Sequence, residues 1–354
     1  MTFNNKIKRI GFACKFAEIN KKGEIASVEG LNTGGTTMAW ANRQSRRVAE
    51  EKVIDVAKRN IMNTHNLIKK VATLPNELRM LRITSDMLSF YTHQDWQGFW
   101  QSTDVQKQLE HWFKPLGETA RANDIRISFH PDQFVVLASD RPDVVNKSIE
   151  EFEYHASMAA WMGYGQKFQD CKINVHISGR QGPEGIRSAY KRLSPEARNC
   201  ITIENEEISY GLEDCLTLSD LVPIVMDIHH HWVREGVYID STNDSVKRVV
   251  DSWRGVRPTM HYSVSREDIL VGHCVDTLPN HDKLLLEGHK KQKLRAHSDF
   301  YWNNAVNDWA LTFLDQFDIM CESKAKNLAS RKLYERYLKN VGQTKQSEEI
   351  LCEA

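Results

Sequence analysis

The segment IRISFH, residues 125–130, is a short β-type run that closes with a histidine, and later parts of the chain repeat this arrangement. Five more runs have a His, Asp or Glu at or near their end: KINVHI (172–177), ITIE (201–204), PIVMD (223–227), VRPTMH (256–261) and FDIMCE (317–322). Because the carboxyl ends of barrel strands share one face, we expect these side chains to meet there. Packing does not require them, since such groups are costly to bury without partners.

Eight strand candidates alternate with helical segments along the chain. They lie at residues 7–14, 78–84, 125–130, 172–177, 200–204, 223–228, 256–262 and 317–321. Such alternation predicts parallel strands joined by right-handed crossovers, and eight units favour a closed barrel. No GxGxxG follows the first strand, which argues against a dinucleotide-binding fold. The predicted fold is α/β, a TIM (β/α)8 barrel with long loops at the C-terminal face, at residues 20–42 and 263–299.

The composition is that of an ordinary globular chain. The 354 residues carry 47 Lys and Arg against 47 Asp and Glu, which argues against a polybasic coat but not against a local basic groove. Seven widely spaced cysteines without a CxxC pair indicate a reducing compartment. No apolar run of 18 residues is present, so we expect no membrane span. We expect one barrel domain at residues 1–340, a flexible C-terminal tail at 341–354, and a cytoplasmic location.

The strand-end residues have the chemistry of a metal centre. Imidazole and carboxylate donors without thiolate suit Mn, Zn or Fe, and several such ligands imply more than one ion. Ions roughly 3.5–4 Å apart fit phosphoryl-ester hydrolysis, in which they activate water and stabilise the leaving oxygen. A two-ion barrel can also move a hydride in a sugar. From the residues alone, the predicted class is a multinuclear metal barrel.

Nine short motifs occur along the chain. Any one of them alone would be a weak signal, but their combination and order are specific. They are RIGFAC (9–14), LRITSDMLSFYTH (81–93), SFHPDQF (128–134), NVHISG (174–179), TIENEE (202–207), VMDIHHH (225–231), MHYS (260–263), RAHSD (295–299) and DIMCESKAK (318–326). Together they resemble the ultraviolet damage endonucleases, relatives of endonuclease IV. The resemblance covers roughly residues 7–330.

The resemblance implies a TIM barrel with two to three divalent ions, usually Mn²⁺. One ion would be held by His130, His176 and Glu204. A second would be held by Glu204, Asp227, His261 and Glu322, which are also the implied catalytic residues. A third would be held by His230 and His297. His297 is a loop residue beside a basic run at 290–295, and the strand-end pattern does not indicate it.

The resemblance also implies DNA contacts. Gln133, Phe134 and Phe12 match positions that probe the lesion, although core packing is the alternative for both phenylalanines. His93 and Arg82 match positions near DNA, and Lys324 matches a position near the site, where a salt bridge is the alternative. Thr259 is a departure, because the family often has Lys there, close to the metals.

The sequence therefore predicts an enzyme, a UV damage endonuclease that hydrolyses the phosphodiester 5′ to a photoproduct and leaves a 3′-hydroxyl. The expected partner is damaged double-stranded DNA, bound by a monomer at the nucleoid with no membrane and no nucleotide cofactor. Three alternatives stay open: an abasic-site endonuclease of the endonuclease IV type, a metal-dependent sugar isomerase barrel, and a non-catalytic damage-binding protein.

Overall fold

The computed structural model describes residues 3–352, with side chains described as far as residue 342. Within that part the strands are β1 (Ile10–Ala13), β2 (Ala17–Ile19), β3 (Ile25–Ser27), β4 (Met80–Ile83), β5 (Arg126–Phe129), β6 (Lys172–His176), β7 (Ile201–Glu204), β8 (Ile224–Val225), β9 (Thr259–Tyr262) and β10 (Asp318–Cys321). All strands except β2 and β3 form one parallel sheet in the order β8-β7-β6-β5-β4-β1-β10-β9. A parallel bridge between Asp227 and His261 joins its two outer strands, so the predicted TIM barrel is confirmed.

Helices follow the strands and cover the outside of the barrel. Within the described residues they are α1 (Met38–Ala41), α2 (Arg46–Ala72), α3 (Gln94–Trp100), α4 (Thr103–Ala122), α5 (Pro142–Trp161), α6 (Gly182–Tyr190), α7 (Pro195–Cys200), α8 (Leu212–Leu216), α9 (Ile228–Glu235), α10 (Asp244–Ser252), α11 (His281–Leu286), α12 (Lys291–Leu294), α13 (Asn304–Leu311) and α14 (Asn327–Cys352). The long amphipathic helix α2 buries a face of ten residues against the core, including Val53, Ala57 and Ile68.

The sixth barrel strand is shorter than the sequence predicted. It ends at Val225, and the residues assigned to the end of a strand at 223–228 instead begin helix α9. The cause is local, because the Asp227 side chain accepts the backbone N–H of His230 as a helix N-cap. The histidine triplet 229–231 therefore lies on a helix, which the strand pattern did not predict.

The two predicted long loops carry structure of their own at the C-terminal face. The antiparallel pair β2–β3 lies partly in the first loop, and α11 and α12 lie in the second. The second loop shares a small separate core with α9, formed by Trp232, Val233, Leu270, Leu284 and Leu294. This core anchors the loop beside the strand ends.

The amino-terminal end of the barrel is closed by an ion-pair network around Asp318. Its Oδ2 accepts a bond from Arg126 at 2.7 Å, and its Oδ1 accepts a bond from Arg257 at 2.7 Å. Arg9 donates its backbone N–H to Oδ1 at 2.9 Å and pairs with Asp124 through its guanidinium at 2.8 Å. The aromatic ring of Phe3 lies against the guanidinium groups of Arg9 and Arg126.

The last helix, α14, includes most of the residues that were predicted to form a flexible tail. Its backbone is helical to Cys352, while residues 353–354 lie outside the described residues. The division into a barrel at 1–340 and a flexible tail at 341–354 stays a prediction. Among the described helices, none combines the length and apolarity that crossing a membrane requires.

Candidate active site

Glu204, the last residue of β7, is the centre of a polar cluster at the carboxyl end of the barrel. Its exposed fraction is 0%. Its Oε1 lies 2.9 Å from Nδ1 of His261, and its Oε2 lies 3.3 Å from Nε2 of His130 and 4.0 Å from Nε2 of His176. Side chains from β6, from β9 and from just beyond β5 therefore converge on one carboxylate, which suits a ligand shared by two ions.

Six of the eight predicted metal ligands form three overlapping groups, each with ligand atoms within 4.8 Å of one another. The groups are His130, His176 and Glu204; Glu204, Asp227, His261 and Glu322; and His130, His261 and Glu322. The first two have the same members as the sets predicted for two of the ions. The third was not predicted, and it links the other two.

The residues of this cluster fit divalent metal ions. Three carboxylates, those of Glu204, Asp227 and Glu322, are brought together, and buried carboxylates are costly unless a cation offsets their charge. Asp227 Oδ1 accepts the His230 N–H at 2.7 Å, whereas its buried Oδ2 has no hydrogen-bond partner in the described part of the chain. Carboxylate oxygens beside imidazole nitrogens form a donor set suited to such ions.

Burial and mutual contact set the protonation of the cluster. Burial lowers the pKa of His176 and of His261 to about 4, although Glu204 favours a proton on each. Burial alone would raise the pKa of Glu204, but His261, His176 and the contact from His130 hold it well below its usual range. Neutral imidazoles beside an ionised carboxylate are the states that metal binding requires. Burial raises the pKa of Asp227 to about 7, against the opposing charge of His230.

Three side chains that the sequence analysis did not assign to the cluster contact its members. Lys172 and Asn174 share the inward face of β6 with His176, at the two-residue spacing of a strand. The Lys172 Nζ lies 2.8 Å from Nε2 of His261, and the Asn174 amide donates to Oε2 of Glu204. Arg82, predicted near DNA, donates to Glu322. The alternation on β6 was the available signal for the first two.

The two histidines predicted for a third ion, His230 and His297, belong to none of the three groups found among the described residues. His230 Nδ1 lies 3.0 Å from the Asn205 carbonyl, and His297 Nδ1 lies 2.7 Å from the Glu322 carbonyl. A carbonyl only accepts, so each Nδ1 carries the proton. Burial lowers the pKa of His297, so its Nε2 keeps a lone pair. Burial alone would lower the pKa of His230 too, but Asp227, Glu204 and Glu207 raise it to about 9, so a metal ion at its Nε2 would have to displace a proton.

A groove of about 360 Å³ opens above the cluster. Its lining includes the ligand candidates His130, His176 and Glu322 together with Lys15, Arg82 and Gln133. The ring of Phe134, next to Gln133, has an exposed fraction of 79%. The site is therefore an open groove with an apolar ring beside it.

Known proteins that are similar to this chain agree with the geometry of the site. The family model described as UV-endonuclease UvdE matches residues 8–350. The chain belongs to the UV-endonuclease UvdE family. The UV DNA damage endonuclease of Bacillus thuringiensis subsp. konkukian is 23% identical over 305 residues, covering 83% of this chain and 85% of the relative. That of Bacillus velezensis is 24% identical over 315 residues, covering 84% and 87%.

Among solved structures, the crystal structure of SacUVDE superposes with a TM-score of 0.69 at 25% identity, covering 94% of this chain and 99% of that one. The resemblance inferred from the motifs is confirmed, and so is the prediction of a UV damage endonuclease at the level of the family. The abasic-site and sugar isomerase alternatives are not favoured by these matches.

The motifs predicted that Phe12 contacts the DNA lesion, and the structure does not support this prediction. The ring has an exposed fraction of 1% and packs edge-on against Phe16 at 5.9 Å. The reason is strand alternation: Ala13 joins the buried cluster with Met80 and Met320, so its neighbour Phe12 points to the opposite face of β1. The core-packing alternative therefore holds for Phe12.

The remaining predicted positions lie around the same face. His93 is the N-cap of α3, where its Nδ1 accepts the Asp95 N–H at 3.2 Å. Lys324 is half exposed, with Nζ 3.4 Å from Asp299 Oδ1. Thr259 is buried on β9, two residues before His261. The amine that lies near His261 is that of Lys172.

Proposed function

We propose that this chain is a metal-dependent endonuclease that recognises ultraviolet photoproducts in duplex DNA and hydrolyses the phosphodiester 5′ to the lesion. The observation that carries the proposal is the Glu204-centred donor cluster at the floor of an open groove. An open groove suits a polymer, whereas a sugar isomerase needs an enclosed pocket. The name UV DNA damage endonuclease, carried by the curated relatives, supports the choice of substrate.

The predicted cofactor is two to three divalent ions, with Mn²⁺ as the expected metal. One would be held by His130, His176 and Glu204, and another by Glu204, Asp227, His261 and Glu322. When bound, such ions activate water and stabilise the leaving 3′-oxygen. Because Glu204 belongs to both groups, its loss should affect both ions at once.

The chain's own residues would hold these ligands in position before DNA binds. Asn174 fixes Oε2 of Glu204, and Arg82 fixes Glu322. Lys172 contacts Nε2 of His261 and so leaves Nδ1 turned towards Glu204. Outer partners of this kind orient metal ligands and spare the site from reorganising during the reaction.

Lesion recognition would use the residues beside the groove. Phe134 is an exposed ring able to wedge into or stack in a gap between bases, where unstacking costs a few kcal/mol. Gln133 lines the groove next to it. Lys324 would contact a phosphate, and His93 would lie near the DNA. The proposed enzyme acts as a monomer in the cytoplasm, at the nucleoid, without a nucleotide cofactor.

The test is a nicking assay on supercoiled plasmid, either irradiated with ultraviolet light or untreated, with Mn²⁺ or with a chelator. We expect relaxation of the irradiated plasmid only, and only with Mn²⁺. A third plasmid containing abasic sites separates the nearest alternative, since an abasic-site endonuclease would prefer it. Absence of damage-dependent nicking with Mn²⁺ present would overturn the proposal.

A further inference from the structure

Two lysines at one edge of the groove, Lys15 and Lys326, have no role in the proposed ion sites or in the proposed lesion contacts. Lys15 is exposed and lines the groove just after β1. Lys326 is half-buried in the segment between β10, which pairs with β1, and α14. Neither ammonium group has a hydrogen bond or an ion pair within the part of the chain that the structure describes. Both charges are therefore available to an anion from outside the chain.

The charges around Lys326 show that it lies close to Lys15 and to the groove. Burial lowers the pKa of Lys326, and the charges of Arg82 and Lys15 lower it further, whereas Cys14 and Glu322 act in the opposite direction. All four of these neighbours line the groove. The Glu322 carboxylate already accepts a bond from Arg82, so it does not neutralise the lysines as well. This edge of the groove therefore has an excess of positive charge.

Other basic residues in the loops at the carboxyl end of the barrel already have a carboxylate partner. These pairs are Arg180 with Asp140 at 3.2 Å, Arg295 with Glu207 at 2.6 Å and Lys324 with Asp299 at 3.4 Å. A phosphate at one of these cations would compete with the carboxylate, whereas a phosphate at Lys15 and Lys326 would not. Asp86 and Asp132 also line the groove, but they follow β4 and β5, whereas the two lysines follow β1 and β10.

Asn327 holds together the two segments that carry the lysines. Its Oδ1 accepts the backbone N–H of Ala17 at 2.7 Å, and its Nδ2 donates to the Ala17 carbonyl at 3.0 Å. Asn327 directly follows Lys326, and Ala17 comes two residues after Lys15. Lys326 also has a left-handed backbone conformation, with φ of 55°, which is unfavourable for a residue with a side chain and occurs often at ligand sites. Because the two backbones are fixed to each other, less ordering is needed when a ligand binds.

We propose that Lys15 and Lys326 form a phosphate-binding subsite that holds the DNA phosphodiester next to the one that is cleaved. This inference rests on the proposed function, since it adds a contact to the DNA substrate of that enzyme. Glu322 places the subsite beside the metal cluster, because it belongs to two of the donor groups and also acts on Lys326. Lysine suits this task, since its ammonium group binds phosphate as a point charge.

The experiment measures nicking of a duplex oligonucleotide that carries one ultraviolet photoproduct, with Mn²⁺, over a range of salt concentrations. We expect Lys326→Gln and Lys15→Gln each to raise KM about 10-fold, because each removes a charge-assisted contact to phosphate. The slope of log KM against log salt should become shallower by about 1. The kcat should stay within about 2-fold, since a neighbouring phosphate is bound equally before and during the reaction.

The control is Lys107→Gln, which removes the same charge from an exposed position of α4. Because Lys15 is exposed, its replacement tests the subsite even where the change at Lys326 affects folding. An equal rise of KM in the control would overturn the inference, since it would indicate a general charge effect. Wild-type KM and salt dependence in both lysine variants would also overturn it, while the proposed function would stand. If the wild-type protein does not nick the damaged duplex, both proposals fail.

A second series of duplexes identifies the phosphate that the lysines hold. Each duplex has one methylphosphonate in place of a phosphodiester, so a single phosphate near the lesion is neutral. At the position next to the cleaved bond, we expect the KM of the wild-type protein to rise about as much as it does in the lysine variants. The double variant Lys15→Gln/Lys326→Gln should show no further rise there, because the contact is already lost. A further rise of the same size in the double variant would overturn the inference.

Discussion

The two ends of the barrel both bury charged side chains, but they compensate the charge differently. At the amino-terminal end, both oxygens of Asp318 are bonded, to Arg126 and to Arg257. At the carboxyl end, Glu204 and Asp227 lie close together, and Asp227 keeps a buried oxygen without a partner among the described residues. At the amino-terminal end the chain's own arginines pair with the buried carboxylate. At the carboxyl end the arrangement suits bound metal ions, which would offset the charge of the carboxylates.

This contrast separates two uses of buried charge in one fold. A buried ion pair whose partners satisfy each other holds the structure together, and removing one partner leaves an uncompensated charge. A cluster of buried carboxylates with too few cations destabilises the folded protein, and a bound metal ion removes this destabilisation. In TIM barrels the stabilising end is the amino-terminal face, and catalysis takes place at the carboxyl face. The predictions below test that division.

The largest expected effect comes from Glu204→Gln at the carboxyl end. Because this carboxylate belongs to two donor groups, we expect nicking of irradiated plasmid to fall on the order of 10³-fold, as loss of several kcal/mol of charge stabilisation implies. The free energy of unfolding of the metal-free protein should change by only about 1–2 kcal/mol. Nicking at the wild-type rate would refute the shared-ligand role.

Asp318→Asn at the amino-terminal end should have the opposite profile. It leaves Arg126 and Arg257 without their buried counter-charge, so we expect a loss of about 3–5 kcal/mol in urea unfolding of the metal-free protein. Activity per folded molecule should be unchanged. The control is Glu50→Gln in the exposed pair with Arg46, which should cost less than about 0.5 kcal/mol. Equal costs in the two variants would contradict the division.

The third prediction uses pH to distinguish the two ends of the barrel. Histidines at the carboxyl end can gain a proton as the pH falls, whereas the arginine pairs at the amino-terminal end do not titrate. His155 is buried beneath the carboxyl end, with Nε2 2.8 Å from the Ser85 hydroxyl, which lies 3.1 Å from the His130 carbonyl. Burial lowers the pKa of His155 from 6.5 to about 4. Between these values the unfolded chain binds the extra proton, so stability falls as the pH falls through this window.

For His155 alone the loss is about 2 kcal/mol between pH 7.5 and pH 5. The measurement is urea unfolding of the metal-free protein across that range. The variant His155→Gln is expected to be less stable at neutral pH but to show a shallower dependence on pH. Parallel pH curves for the two proteins would show that His155 does not titrate in this way.

The smallest effect on stability is expected for Phe134→Ala beside the groove. Since the ring is exposed, unfolding should change by no more than about 0.5 kcal/mol. The preference for irradiated over intact duplex should fall about 10-fold, as loss of one stacking contact implies. Val271→Ala, at an exposed apolar residue of the second long loop, is the control. Equal loss of affinity for both duplexes would count against the wedge role.

The sequence indicated more of the metal site than of the DNA contacts. Strand-end positions indicated His130, His176, Glu204, Asp227, His261 and Glu322, because the ends of parallel strands must meet at one face. Motif resemblance added His230 and His297, which stand on a helix and a loop. It also suggested Phe12, where a motif match cannot show which face of the strand the ring occupies.

What the sequence determined by itself was the barrel and the identity of the donor atoms, since strand periodicity and residue chemistry are local properties. Only the tertiary structure decided which donors approach one another and how each imidazole is turned. Lys172 reaching His261 from β6, and Glu207 facing His230, depend on segments far apart in the chain. Such contacts follow from barrel closure and loop packing, which bring together residues that no local pattern relates.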